Sequence, residues 1–289
     1  MREQSGQTDY AELKRSGAIQ QKQPGLFSLR LHVVAGGLTA AQIEKIAEIA
    51  REFGAGDVHL TARQGVEIPN VPVGKIPDVR AELAKADLEL SVCGPRVRTV
   101  TGCQGAEICR HGLIQTRELC QKIDAVFSGR DNLPHKFKFG VSGCHNSCLK
   151  PQENDAGVMG AVAPVWDAAL CNLCGDCEVV CRSGAIHIED GAVKYDPALC
   201  TFCGDCIRKC PAGGWREGRV GYILFVGGKM GRNPKLAHRI NRLIEGEENL
   251  MNALERTLEF YRNHGKPGER FADTLGRTGL EQFERESLS

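Results

Sequence analysis

Two runs of four cysteines constrain this chain more than any other feature: Cys171, Cys174, Cys177 and Cys181 in CNLCGDCEVVC, and Cys200, Cys203, Cys206 and Cys210 in CTFCGDCIRKC, the second followed by Pro211. Both have the spacing C-x2-C-x2-C-x3-C. Three thiolates this close in sequence wrap one face of a metal centre and leave its fourth ligand to come from elsewhere. A chain of 289 residues, 42% hydrophobic, can bury a core without covalent staples, so its fourteen cysteines need another explanation than disulfides. Structural zinc is the plainer alternative, because two C-x2-C pairs furnish an all-cysteine tetrahedron. Two identical four-cysteine runs exceed what one such ribbon needs and point to iron–sulfur cubes.

The repeat resembles the bacterial two-cluster ferredoxins. The resemblance implies that Cys171, Cys174 and Cys177 share one [4Fe-4S] cluster with Cys210, while Cys200, Cys203 and Cys206 share the other with Cys181. Gly175 and Gly204, at equivalent places, let the backbone turn tightly toward cluster sulfurs. On its own this motif implies electron transfer and nothing more.

A net charge of +1 with both signs interspersed argues against a nucleic-acid or acidic-membrane partner. No apolar run approaches the ~20 residues of a spanning helix, and the polar first residues lack the apolar stretch of a secretory signal. The expectation is a cytoplasmic protein with reduced thiols. Residues 1–25 read as a flexible arm. Thr39 and Gln42 form a capping box for a helix whose face is Ile43, Ile46, Ala50 and Phe53, ended by Gly54. Strands at 29–34, 58–61 and 66–68 and a helix at 78–86 complete a β-α-β-β-α unit. Further on, a strand at 97–101 leads to a helix ending near Phe127. The strand 136–141 places Phe137, Phe139 and Val141 on one face with Lys136 and Lys138 on the other. After an apolar strand at 220–226, Asn233-Pro234 opens helical sequence reaching His264, with a stripe of Leu250, Leu254 and Leu258. No G-x-G-x-x-G follows a strand, so no nicotinamide or flavin site is expected.

Four of the other six cysteines form C-x5-C (Cys103, Cys109) and C-x3-C (Cys144, Cys148), a natural set for a third [4Fe-4S] cluster. Cys93 and Cys120 fit neither motif and read as buried thiols. TGCQGAEIC followed by LPHKFKFGVSGCHNSC resembles the signature of the sirohaem-dependent sulfite and nitrite reductase family. The resemblance implies that Cys148 bridges the cube to sirohaem iron, and that small anions are held by arginines and lysines. Thr61-Ala62-Arg63-Gln64 is similar to the family's T-T-R-Q run and implies a catalytic role for Arg63. Arg98, preceding Cys103, and Lys136 and Lys138 of the K-F-K strand follow in the same way. Lys229 and Arg232, in GYILFVGGKMGR and near an expected helix N-terminus, are candidates for sirohaem carboxylates.

The expected fold class is α+β: a sulfite reductase-like core with an inserted bacterial ferredoxin domain. The core comprises a ferredoxin-like N-terminal unit (26–92) and a sirohaem/[4Fe-4S] α/β unit (93–163 and 214–265). The insert occupies 164–213, and 266–289 form a polar, mobile tail. The implied cofactors are sirohaem and three [4Fe-4S] clusters, and the implied reaction is six-electron reduction of sulfite to sulfide. Nitrite reduction to ammonia is the alternative substrate reading. An electron-relay subunit without sirohaem is the alternative of another class. Electrons are expected from a ferredoxin or a partner reductase subunit. Better-known members carry two core units in one chain, so a homodimer, or a hetero-oligomer, is expected here, with the cations of one subunit facing Cys148 of the other.

Overall fold

Thr39 caps its helix as its spacing predicts. Its hydroxyl accepts from the Gln42 amide while the Gln42 side chain accepts from the Thr39 N–H, a reciprocal pair that fixes where the chain turns helical. The computed structural model describes residues 9–288. The N-terminal unit runs α1 (Tyr10–Arg15), β1 (Ala18–Gln20), β2 (Leu26–Arg30), α2 (Ala40–Phe53), β3 (His59–Leu60), β4 (Val66–Pro72) and α3 (Ile76–Ala84). Its strands form an antiparallel sheet in the order β1-β2-β4-β3, with Phe27, Leu29, Ile68, Ile49 and Leu83 fully buried in its core. Several details depart from the sequence pattern: the strand expected at 29–34 is Leu26–Arg30, and the helix expected at 78–86 is Ile76–Ala84. Ile43 is exposed and Ile49 takes its place in the core, and β4 runs four residues past the expected end at 68.

Part of the expected N-terminal arm is therefore ordered structure: α1 is capped by the Asp9 carboxylate and β1 pairs with β2, while residues 1–8 lie outside the described residues. The second unit contains β5 (Thr101–Gly102), α4 (Thr116–Phe127), β6 (Phe139–Ser142), β7 (Ala156–Trp166), α5 (Asp176–Val180), β8 (Ile186–Glu189), β9 (Ala192–Tyr195), α6 (Asp205–Lys209) and β10 (Trp215–Val226). It ends with β11 (His238–Arg239), β12 (Ile244–Glu245), α7 (Glu247–His264), α8 (Phe271–Thr278) and α9 (Leu280–Ser287). The sheet order is β11-β10-β7-β6-β5, parallel from β5 to β7 and antiparallel from β7 onward, with β12 also on β10. The ribbon β7–β10 is the spine of this unit. The cysteine-rich segment rises from its far end, closed off by the cross-strand pair Trp166 and Trp215 and carrying its own hairpin β8–β9.

The tail expected to be mobile is instead packed. Phe271 of α8 and Phe283 of α9 are fully buried and join Phe137, Tyr261 and Phe260 in one aromatic core. Apolar residues placed every few positions among charges make these short amphipathic helices, which become stable only on a surface that accepts them. Likewise, helix does not begin at Asn233-Pro234: Lys229 and Lys235 form an isolated bridge, two short strands follow, and α7 starts at Glu247. Leu250, Leu254 and Leu258 are fully buried in the core, as their spacing requires.

Candidate functional site

Between the two sheets lies a cleft of about 300 Å³, and Arg63, Arg98, Lys136 and Lys138 all line it, together with Arg30. Arg63 sits on the loop between β3 and β4 and reaches across to the second unit. Its guanidinium donates to Asn154 Oδ1 (2.6 Å) and to the Thr99 carbonyl (3.2 Å). Asn154 in turn packs over Gly140, where any Cβ would stand 2.4 Å from its amide nitrogen. Burial brings Arg63 down to about 10, with Arg98 and Arg270 pushing the same way against Asp155. Lys138 is brought down to about 8 by burial and by Arg63, and Lys136 is lowered by burial, Arg270 and Arg98. A lysine brought to about 8, as Lys138 is, exchanges protons near neutrality.

The counterion is Asp155, fully buried beneath the cleft, whose two oxygens accept from Arg270 at 2.9 and 2.8 Å. Burial raises the Asp155 carboxyl against the pull of Arg270, Lys138 and Arg63. Arg98 borders the cleft, but its terminal nitrogens donate to the Val92 and Gly94 carbonyls, so it also holds the cleft's wall in place. Arg30, Asp155 and Arg270 escape the sequence reading. Arg30 pairs with Glu67 like any strand-edge arginine, and Arg270 belongs to the segment read as a tail.

A second cleft, of about 900 Å³, lies on the other side of the loop 61–65; Cys103, Gln104, Arg117, Cys148 and Leu149 line it, and it shares Thr61, Ala62 and Gly65 with the first. Arg63 faces the cation cleft, whereas Gln64 faces this one, bonded to the Gly102 backbone in both directions (2.8 and 3.0 Å). The loop is thus a partition with cations on one side and cysteines on the other. Cys103 Sγ accepts from the Gly143 N–H at 3.0 Å, and the Cys144 thiol is pushed up by burial and by neighbouring Cys103, Cys109 and Cys148. Glu107, between Cys103 and Cys109, accepts from the Thr116 and Arg117 amides at the start of α4 and so fixes the cysteine loop to a helix end. This apolar-walled space beside Cys148, with Arg117 at its edge, fits a tetrapyrrole carrying carboxylates.

Lys229 and Arg232 belong to neither cleft. Lys229 is ion-paired with Asp273, Arg232 is exposed, and no helix begins beside them, so the reason for placing carboxylates there is removed. Cys120 is buried with its sulfur near the Thr101 carbonyl, and buried Cys93 lies 3.8 Å from Arg30.

In the segment between β7 and β10, two small cavities each gather four cysteines. One is lined by Cys171, Cys174, Cys177 and Cys210, the other by Cys181, Cys200, Cys203 and Cys206. Each cavity thus takes three cysteines from one run and the last from the other. Gly175 and Gly204 adopt φ of 85° and 73° as N-caps of α5 and α6, a conformation that costs a residue with a Cβ. Amides point at sulfurs: Ala185 N–H donates to Cys181 (3.2 Å) and Phe202 N–H to Cys200 (3.3 Å). Among the described residues, no three histidine, cysteine or carboxylate side chains converge at single-ion reach. His145, between Cys144 and α6, is held down to about 4 by burial and by Arg239 and Arg208.

Two family models match the chain. The nitrite and sulphite reductase 4Fe-4S domain covers residues 93–288, and the nitrite/sulfite reductase ferredoxin-like half domain covers 19–86. The coenzyme F420-dependent sulfite reductase of Methanocaldococcus jannaschii is 35% identical over 272 residues, which are 92% of this chain and 43% of that protein. The ferredoxin–nitrite reductase of Synechococcus elongatus is 33% identical over 145 residues, 50% of this chain and 28% of that one. The chain therefore spans less than half the length of both relatives. Among solved structures, dissimilatory sulfite reductase I superposes with a TM-score of 0.75 at 20% identity, covering 91% of this chain and 69% of that chain, a likeness of fold.

Proposed function

Because the chain belongs to the nitrite and sulphite reductase family, we propose that it is the catalytic unit of a sirohaem sulfite reductase, reducing sulfite to sulfide with six electrons. The observation that carries this reading is the cation cleft, where Arg63, Arg98, Lys136 and Lys138 meet around one space next to the cleft of Cys148. Cys103, Cys109, Cys144 and Cys148 would hold a [4Fe-4S] cube. Sirohaem joined to it through Cys148 would supply the iron that takes the substrate and the electrons.

The rest is the work of this chain's own side chains. Arg63, anchored by Asn154, presents fixed positive charge to the anion's oxygens. Lys138, poised at about 8, holds a proton at Nζ that an oxygen leaving as water can take, and Lys136 beside it is a second donor. Asp155, paired with Arg270, sets one negative charge beneath Lys138 and Arg63. The cysteine-rich segment is an inserted ferredoxin domain with two further cubes, fed by a ferredoxin or a partner reductase subunit.

The partition at 61–65 supports a homodimer in which the cation cleft of each protomer meets the Cys148 cleft of its partner. Mixing Cys148→Ser and Arg63→Ala subunits tests this: activity regained in the mixed dimer supports the shared site, and none at either site excludes it. Nitrite remains the second substrate reading, favoured by the similarity to a ferredoxin–nitrite reductase. Anaerobically purified protein is expected to show sirohaem bands over broad iron–sulfur absorption and to oxidise a reduced viologen faster with sulfite than with nitrite. Iron and sulfide for three cubes with no tetrapyrrole would instead make it an electron relay.

A further inference from the structure

Trp215 is 3% exposed, and its indole N–H is buried with no hydrogen-bond partner in the protein. An indole can only donate, and an orphaned buried N–H is costly, so a fold that keeps one normally has an acceptor for it. Trp215 lines the cavity of Cys171, Cys174, Cys177 and Cys210. The ring is held by its neighbours: it pairs across strands with Trp166 and meets Tyr195 edge-on, with centroids 5.3 Å apart. Tyr195 borders the other four-cysteine cavity, so the two aromatic side chains stand between the two sets of thiols.

The two cavities differ in what surrounds them, although the two cysteine runs share their spacing. No tryptophan lines the other cavity.

We propose that Trp215 donates its indole N–H to a sulfur of the cluster held by Cys171, Cys174, Cys177 and Cys210, and thereby raises that cluster's reduction potential. Hydrogen bonds to the sulfurs stabilise the extra negative charge of the reduced cube, which shifts the equilibrium toward reduction. The cluster concerned is the outer one: Cys174 is exposed, and Leu173 and Val179 beside it are exposed as well. Trp215 therefore makes uptake from an external donor easier at the cube that donor can approach. The inference rests on the reading of the insert as a two-cluster domain.

The test is a potentiometric titration of the full chain, purified anaerobically and followed by electron paramagnetic resonance, for wild type and Trp215→Phe, with iron and sulfide counted on the same samples. Trp215→Phe keeps the ring and removes the donor. It is expected to lower the reduction equilibrium constant of one cluster roughly tenfold, about 59 mV for a one-electron couple, with the other clusters unmoved and the iron content unchanged. Clusters present with identical potentials in both proteins overturn the inference, and so does an equal shift of every cluster, which would mark general loosening. A wild-type chain without the insert's clusters overturns the two-cluster reading and the inference with it. Should Trp215→Phe fail to fold, wild type carrying isotopically labelled indole nitrogen is expected to show hyperfine coupling between that nitrogen and a reduced cluster; no coupling overturns the inference.

Discussion

The cation cleft and the cysteine-rich segment collect like groups by opposite means. In the cleft, positive charges are crowded below their ordinary protonation strength and held by one buried carboxylate and side-chain bonds drawn from distant parts of the chain. In the segment, thiols are gathered by local spacing, by two left-handed glycines and by nearby backbone amides. A site made of charges needs the whole fold to hold it, whereas a site made of spaced cysteines is almost complete within fifty residues.

That contrast can be broken at its strongest point first. Asp155→Ala leaves the Arg270 side chain, 12% exposed, without its carboxylate partner and is expected to destabilise the core by about 3–5 kcal/mol in denaturant unfolding. The absorbance of the insert's clusters is expected to survive until the core itself unfolds. Loss of those clusters at lower denaturant would show that the two regions are not separable. Next, Arg63→Ala removes one fixed donor and is expected to lower sulfite reduction roughly 10²–10³-fold, with iron and sulfide unchanged. A small loss would mean that the anion is held elsewhere.

Proton supply gives a finer test. Lys138 is charged below about 8, so kcat/KM for sulfite is expected to fall as pH rises through that value, and Lys138→Gln to lower the rate and flatten the limb. A limb that persists in the variant would assign it to another group.

The smallest effect concerns the joint between the units, where His32 bonds Asp124 at 2.6 Å and Glu89 at 3.2 Å. Burial pulls the imidazole down, but Asp124 and Glu89 outweigh it and hold it above its ordinary value. A histidine raised on folding stabilises fully below about pH 6.5 and loses that contribution as pH rises through the raised value. His32→Gln is therefore expected to cost roughly 1 kcal/mol in mildly acidic urea titrations, and less in alkaline ones. An equal cost at both would make the contact one of packing alone.

Much of this was legible in advance where the causes are local. The Thr39 capping box, the burial of Phe137, Phe139 and Val141 and the leucine stripe of α7 follow from periodicity and short-range hydrogen bonding. Arg270 was not legible, because nothing in GERFADTL says that its charge meets an aspartate 115 residues earlier. Phe271 and Phe283 read as a polar tail because their helices are too short to be stable alone. The helix start expected beside Lys229 and Arg232 was lost for a related reason: Lys229 bridges to Lys235, His238–Arg239 and Ile244–Glu245 pair with β10, and helix waits until Glu247.

The amino-acid sequence alone set twelve cysteines at cluster-like spacing, and the family resemblance supplied the cations expected to accompany them. Spacing acts over a few residues, within the reach of one turn of backbone, so it survives in the linear chain. The tertiary structure decided that Asp155 underlies the cations and that the loop at 61–65 separates charge from sulfur. Those arrangements depend on which buried surfaces meet, and desolvation sets the charge state of Lys138 and Asp155 only once they have met.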